Sequence, residues 1–211
     1  MCTAYQIGTK ANRLPARIKP SLAELLRRKP EPRIIRPTLI APVILPDGTA
    51  TEMSWGFRRK FRGSKGNPIT RTIVNSREDK LNSPMWRDAF ANRRRLIPAI
   101  AFYEWTDGPG GKACPLRFTP IDDNWLLLGG IWENGENGPC FSMLTTEPSD
   151  AIRPVHDRMP LVLSDENIGP YLDGELNQFG SSKVPLLYQE TPNFLRSTTP
   201  PDQDPNQPTL L

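Results

Sequence analysis

The chain has 211 residues, 37% hydrophobic and 24% charged, with 24 prolines; proline at roughly twice its usual share of about 5% excludes long uninterrupted helices. No run approaches the roughly 18 consecutive apolar residues of a bilayer span, which excludes membrane-spanning helices. The net charge of +4 is uneven: residues 165–211 carry two basic and seven acidic side chains, net −5, and leave +9 on residues 1–164.

In chain order, Ser21-Leu22-Ala23-Glu24 has the spacing of a capping box, and Pro30 and Pro32 stop the helix it opens after about two turns. Leu39–Leu45 and Thr51–Phe57 are apolar or alternating runs around Pro46-Asp47-Gly48, where proline presets φ and glycine supplies positive φ, so they read as a hairpin. Ile69–Asn75 is rich in β-branched residues and predicts a strand ending near Asn75. Ser83 as N-cap with Pro84 at the first helical position predicts a second helix. It would carry Trp86 and Phe90 on one face and Arg93, Arg94 and Arg95 at its C-terminal end. Strand-like runs follow at Ile97–Trp105, Pro115–Thr119, Trp125–Trp132 and Phe141–Thr145, broken by two glycine-rich turns at 108–111 and 135–138.

Many strands and few helices argue against a βαβ fold and for an α+β domain, with a mostly antiparallel, barrel-like curved β-sheet core and a few short flanking helices. One domain is expected over residues 1–196, with a proline-rich, disordered tail over 197–211. Between Arg58 and Lys80, eight basic residues face only Glu78 and Asp79, net +6 in 23 residues. That stretch could follow a phosphate backbone or be a solvated loop. Cys2, Cys114 and Cys140 cannot all pair, and with one histidine and no CxxC no metal or other cofactor is expected. No export signal is visible, so the expected compartment is the cytoplasm.

No glycine-rich phosphate loop, G-x-S-x-G elbow or H-E-x-x-H occurs. His156, the single histidine, lies at a predicted loop and could be a catalyst or a packing residue. Glu104 sits among aromatics in Ala101-Phe102-Tyr103-Glu104-Trp105; burial would raise its pKa and suit it to proton transfer, whereas strand alternation could turn it outward. Asn75 and Arg77 stand at a strand end, where Arg77 could bind phosphate or pair with Glu78. Cys2 becomes N-terminal if Met1 is removed, and its 1,2-aminothiol could then condense with an aldehyde through a Schiff base to a thiazolidine.

Taken in order, Cys2, Arg36-Pro37-Thr38, Ser54-Trp55-Gly56-Phe57, Asn75-Ser76-Arg77-Glu78, Ala101-Phe102-Tyr103-Glu104-Trp105, Gly129-Gly130-Ile131-Trp132-Glu133, Thr145-Thr146 and His156-Asp157-Arg158-Met159-Pro160 resemble the SRAP family of SOS response-associated peptidase-like proteins. The resemblance runs from Cys2 to about Leu172. It implies a sensor of abasic sites in single-stranded DNA, which captures the ring-opened sugar on Cys2 and shields the damage, with lyase activity through the same Schiff base; the chain is expected to act as a monomer. It implies that Asn75 positions the nucleophile, that Glu104 is general acid and base, and that His156 helps open the sugar. Arg77 and Arg158 would hold phosphates, Trp55 would stack on an unpaired base, and Pro37 and Thr38 would also contact DNA; Arg58 and Arg59, where this chain departs from the family pattern, are expected to make a more electrostatic DNA contact. A self-processing thiol peptidase and a non-catalytic DNA-binding module are the alternatives. Here Thr3 and Ala4 follow Cys2 where the family usually has Gly-Arg, Phe57-Arg58-Arg59-Lys60 replaces an apolar stretch, and Ala101 replaces a glycine.

Overall fold

A computed structural model describes residues 2–8, 18, 21–28, 32–64, 66–122 and 124–194. The chain opens with β1 (Ala4–Ile7) and α1 (Ser21–Arg28). It continues through β2 (Arg33–Ile35), β3 (Ile40–Ile44), β4 (Ala50–Trp55), β5 (Phe57–Arg62), β6 (Pro68–Ile73) and β7 (Asn75–Arg77). After α2 (Arg87–Asn92) come β8 (Arg94–Ala99), β9 (Ala101–Asp107), β10 (Ala113–Pro120), β11 (Leu126–Gly135) and β12 (Gly138–Thr146). Short β13 (Met159–Pro160) and β14 (Val162–Leu163) precede α3 (Asp165–Leu172) and β15 (Leu186–Glu190).

Strands β12, β4, β3, β8 and β11 pair in that order, and β11 pairs back with β12, so the sheet closes into a five-stranded barrel without free edges. Only the β12–β4 contact in that ring is parallel. Strand β7 runs parallel beside β12, β13 pairs with β12 and β14 with β11. A second, antiparallel sheet has the order β15-β10-β9-β1-β2, and β5 and β6 form a separate two-stranded ribbon. The expected α+β class with a mostly antiparallel, barrel-like core is the observed one.

Leu126–Ile131 are buried at every position rather than alternately, because other elements cover β11 from both sides. Full burial of each such leucine or isoleucine stabilises the fold by about 1.5–3 kcal/mol. The Pro46-Asp47-Gly48 hairpin forms as expected: Gly48 has φ 83° and donates to Leu45, and Asp47 Oδ1 accepts from Thr49 N at 2.9 Å.

The structure divides three runs that the sequence reads as single strands. Strand β4 stops at Trp55 because Gly56, at φ 122°, turns the chain and donates to Phe141 O; a Cβ there would collide with Thr72. The run 69–75 breaks at Val74, whose carbonyl accepts from Met143 N and Trp55 Nε1. The run 97–105 breaks at Ile100, which donates to Gln6 O as the chain leaves the barrel for the second sheet.

The second helix also starts later than expected. Ser83 O accepts from Trp86 N and Arg87 N, but regular helix begins at Arg87, and Trp86 holds the N-cap position without a side-chain cap. Trp86 and Phe90 are both buried as the spacing requires. Arg94 and Arg95 belong to β8, because Arg93 at φ −138°, ψ 52° has already left the helix. The Ser21 side chain, Pro30 and the tail 197–211 lie outside the described residues. Among the described residues, no helix is long and apolar enough to cross a membrane.

Candidate active site

Two sheets meet where the expected catalytic residues converge. The register Ala4↔Tyr103 sets β1 against β9, which carries Glu104, and Cys2 stands just before β1. On the other side the register Met143↔Asn75 ties Asn75 to the barrel strand β12. Across the seam Asn75 Nδ2 donates to the Cys2 carbonyl at 2.8 Å. Cys2, Asn75 and Glu104 are 0%, 8% and 1% exposed, so the three side chains sit in a dry seam.

Burial, and then the nearby Glu104 carboxylate, push the Cys2 thiol well above its ordinary value. The thiol is therefore protonated at rest, and its Sγ–H donates to Ala4 O at 3.2 Å. Burial lifts Glu104 from 4.5 to about 7, although the positive N-terminus opposes the shift. Near neutral pH this carboxyl can both accept and return a proton. The β9 register turns this carboxyl inward among the aromatics that flank it, where strand alternation could have turned it out.

Strands β12 and β13 assemble the polar rim. Thr145 pairs in register with Arg77 on one side and Pro160 on the other, so Arg77, Thr145 and the segment carrying His156 and Arg158 are neighbours. Arg158 donates to Thr145 O at 2.5 Å and is 8% exposed. Arg77 grips Asp79, not Glu78, through Nε at 2.9 Å and its terminal nitrogen at 3.0 Å, and Arg158 lies 3.9 Å from the same carboxylate. Asp79 is thereby held below the usual carboxylate range, by the Arg77 hydrogen bonds first.

His156 Nδ1 accepts from Arg158 N at 3.0 Å and also lies 2.7 Å from Asp157 Oδ1. The first contact needs a bare Nδ1 and the second a protonated one. Burial lowers the His156 pKa, aided by the positive N-terminus and opposed by Asp157, so the ring is neutral near pH 7; of its two neutral tautomers, the one with the proton on Nε2 fits the Arg158 contact and the one with the proton on Nδ1 fits the Asp157 contact. An open groove of about 530 Å³ beside it is lined by Glu147, Pro148, Arg153, Pro154, His156 and Asp157, among others. Among the described residues, no three His, Cys, Asp or Glu side chains converge as a metal would require.

Two expected DNA contacts are corrected. Trp55 is fully buried, edge-on to Tyr5 at 5.2 Å and stacked with Phe141 at 6.3 Å, so it offers no face to a base; it belongs to the core. Arg59 is engaged by both Glu133 oxygens at 2.5 and 2.6 Å and lies over the Phe57 ring, so it fastens the ribbon to β11. Arg58 and Thr38 are exposed and Pro37 half-buried. Thr38 has φ 75° and donates to Trp55 O at 2.8 Å; for a β-branched residue this costs about 1–3 kcal/mol. Ala101 does not share that conformation, so replacing a glycine there strains nothing. Asp79, Asp157 and Thr145 escaped the sequence reading as site residues. The i+2 spacing of Asp79 from Arg77 was a legible signal, whereas the Thr145 contact depends on register.

The family described as SOS response associated peptidase (SRAP) matches residues 1–197. The chain is similar to the abasic site processing protein YoqW of Bacillus subtilis, 29% identical over 139 residues, which are 62% of this chain and 61% of that protein. It is also similar to the abasic site processing protein YedK of Escherichia coli, 25% identical over 117 residues, 53% of this chain and 52% of that one. It thus spans about three fifths or less of these relatives. The fold is similar to a crystal structure of a Bacteroides thetaiotaomicron protein, with TM-score 0.74 and 19% identity over 99% of this chain and 97% of that one. A Bordetella bronchiseptica protein gives TM-score 0.63 and 22% identity over 90% and 100%. With the match covering nearly all of the chain apart from its C-terminal tail, the chain belongs to the SRAP family.

Proposed function

We propose that, once Met1 is removed, this protein processes abasic sites in single-stranded DNA by capturing them covalently on Cys2. The cluster of Cys2, Asn75 and Glu104 carries the reading: a buried nucleophile held by its own carbonyl beside a carboxyl that titrates at about 7. The names of the curated relatives, abasic site processing proteins, agree with it.

The Cys2 amine adds to the C1 aldehyde of the opened sugar, and Glu104 supplies the proton with which the carbinolamine oxygen leaves as water. The Cys2 S–H then adds across the imine, sulfur to carbon and proton to nitrogen, closing a thiazolidine with net loss of one water. Glu104 serves as proton acceptor for the thiol, which burial keeps protonated, and as donor in reversal. Asn75 fixes the Cys2 backbone so that amine and thiol face one carbon. Neutral His156 donates through Nε2 to the sugar ring oxygen and promotes opening. Arg77 and Arg158 bind the flanking phosphates. The same imine permits elimination of the 3′ phosphate, a lyase outcome. The reading takes residues 1–196 as one domain, active as a cytoplasmic monomer.

Intact-mass measurement with single-stranded DNA containing one abasic site tests it. Protein lacking Met1 should gain the mass of the DNA less one water, and Cys2→Ala should gain nothing while still binding DNA. An adduct on Cys2→Ala would overturn the assignment.

A further inference from the structure

Tyr5 and Glu104 lie on adjacent strands and on the same face of the second sheet. The register Tyr5↔Phe102 sets those two side chains on one face, and Glu104, two residues further along β9, shares it. Ala4 and Tyr103 take the other face. The Tyr5 ring meets Trp55 edge-on at 5.2 Å, Trp55 Nε1 donates to Val74 O, and the next residue, Asn75, donates to Cys2 O. A continuous set of contacts thus runs from Tyr5 around the seam and back to the Cys2 backbone.

The other two buried tyrosines each have a partner: Tyr171 Oη donates to Gly130 O at 2.7 Å and Tyr103 Oη to Gln6 Oε1 at 3.3 Å. The Tyr5 hydroxyl is fully buried and has none among the described residues. Native folds rarely leave such a group unpaired, and phenylalanine would fill the same space without it. At rest the Cys2 sulfur does not use this donor, because its Sγ–H points to Ala4 O. Deprotonation changes that, since a thiolate has no proton for a carbonyl and in a dry seam it needs donors. Burial first, and then charge at Cys2, raise the Tyr5 phenol well above its ordinary value, with Arg33 opposing. The phenol is therefore within electrostatic reach of the sulfur and keeps its own proton while the sulfur is charged.

We propose that the Tyr5 hydroxyl donates a hydrogen bond to the Cys2 sulfur as the thiazolidine closes and reopens, and thereby favours lasting capture of the imine over strand cleavage. This rests on the reading that Cys2 condenses with the abasic sugar. Glu104 takes the thiol proton, the sulfur lone pair forms the bond to C1, the C=N pair moves onto nitrogen, and Glu104 returns the proton there. Tyr5 gives up no proton. Its hydrogen bond counts while sulfur carries charge, before the S–C bond forms and after it breaks. It therefore speeds both directions alike and leaves the equilibrium between imine and ring unchanged.

Tyr5→Phe removes the hydroxyl and keeps the ring. With saturating single-stranded DNA containing one abasic site, the adduct that survives denaturation without reduction should form about 3- to 10-fold more slowly than on wild-type protein, the effect of one hydrogen bond to a charged group of which roughly half is felt as sulfur attacks. The Schiff base trapped by borohydride should form at the wild-type rate, because the amine adds before the sulfur acts. More cleaved strand should accumulate beside the adduct. Tm should equal or exceed the wild-type value, since no hydrogen bond is lost. A hydroxyl that served only the fold would lower Tm and slow both steps together, and that outcome overturns the proposal; so does an unchanged rate of adduct formation. Failure of wild-type protein to form any adduct is a separate result: it defeats the crosslinking reading, and the role of Tyr5 falls with it.

Discussion

Asn75 Nδ2 donates to the carbonyl of Cys2 at 2.8 Å, joining a residue beside the barrel to the strand start of another sheet. The proposed nucleophile is therefore oriented through its backbone, while its side chain stays directed at Ala4 O. Asn75→Ala would leave the buried Cys2 carbonyl without this donor, a cost of about 1–3 kcal/mol. Misplacing a nucleophile by about 1 Å can cost on the order of 100-fold in rate. The expected outcome is a crosslinking rate down 10- to 100-fold at saturating DNA, with a modest fall in Tm. An unaltered rate would show that the contact serves the fold alone.

Glu104 makes stability and reactivity depend on pH in a definite direction. Its carboxyl holds its proton more tightly folded, at about 7, than at its ordinary 4.5. As pH rises through 4.5 the unfolded chain releases this proton first, so stability declines between about 4.5 and 7 and is level above. The full penalty is about 3 kcal/mol. Glu104→Gln should thus be more stable than wild type at pH 8, with the difference closing below pH 4.5. The same variant should slow both formation and reversal of the adduct and lose the pH dependence near 7. Identical denaturation midpoints for the two proteins across this range would contradict the buried-carboxyl account.

Much of the fold and the centre of the site were legible because they depend on local chemistry. The Pro46-Asp47-Gly48 turn, the buried pair Trp86 and Phe90, and the carboxylate among aromatics need only neighbouring residues to be read. What escaped depends on tertiary register. Ile100 looks like the middle of a strand, yet its N–H bonds Gln6 and the chain changes sheets there. Ser83 and Pro84 have the composition of a helix start, but the regular helix begins at Arg87. Trp55 and Arg59 carry the chemistry of DNA contacts. Only the packing of Tyr5 and Phe141, and the position of Glu133 far along the chain, show that they are spent on the fold.

Asp79 occupies both donors on one edge of Arg77 and stands 3.9 Å from Arg158, between the two guanidinium groups proposed to bind phosphate. An incoming phosphate must share or displace that carboxylate. Asp79→Asn should therefore tighten initial binding to single-stranded DNA and steepen its log–log salt dependence by about 0.7, one further phosphate contact. Salt titration of binding by fluorescence anisotropy measures this. A weaker or unchanged salt dependence would mean that Asp79 preorganises Arg77 rather than competing for it.

Trp55 separates a structural role from a DNA contact. Its indole is fully buried between Tyr5 and Phe141, with Nε1 donating to Val74 O at 3.0 Å. Truncating a buried tryptophan to alanine costs about 3–5 kcal/mol, a large share of the roughly 5–15 kcal/mol that holds a domain together. Trp55→Ala should accordingly lower Tm sharply. Trp55→Phe, which keeps a ring in the stack but loses the hydrogen bond to Val74 and part of the buried indole volume, should recover much of the stability lost in Trp55→Ala and bind DNA as wild type does. If instead Trp55→Phe or Trp55→Ala kept the wild-type Tm and lost only DNA affinity, the indole would have to leave the core to meet a base, and its assignment to the core would fail.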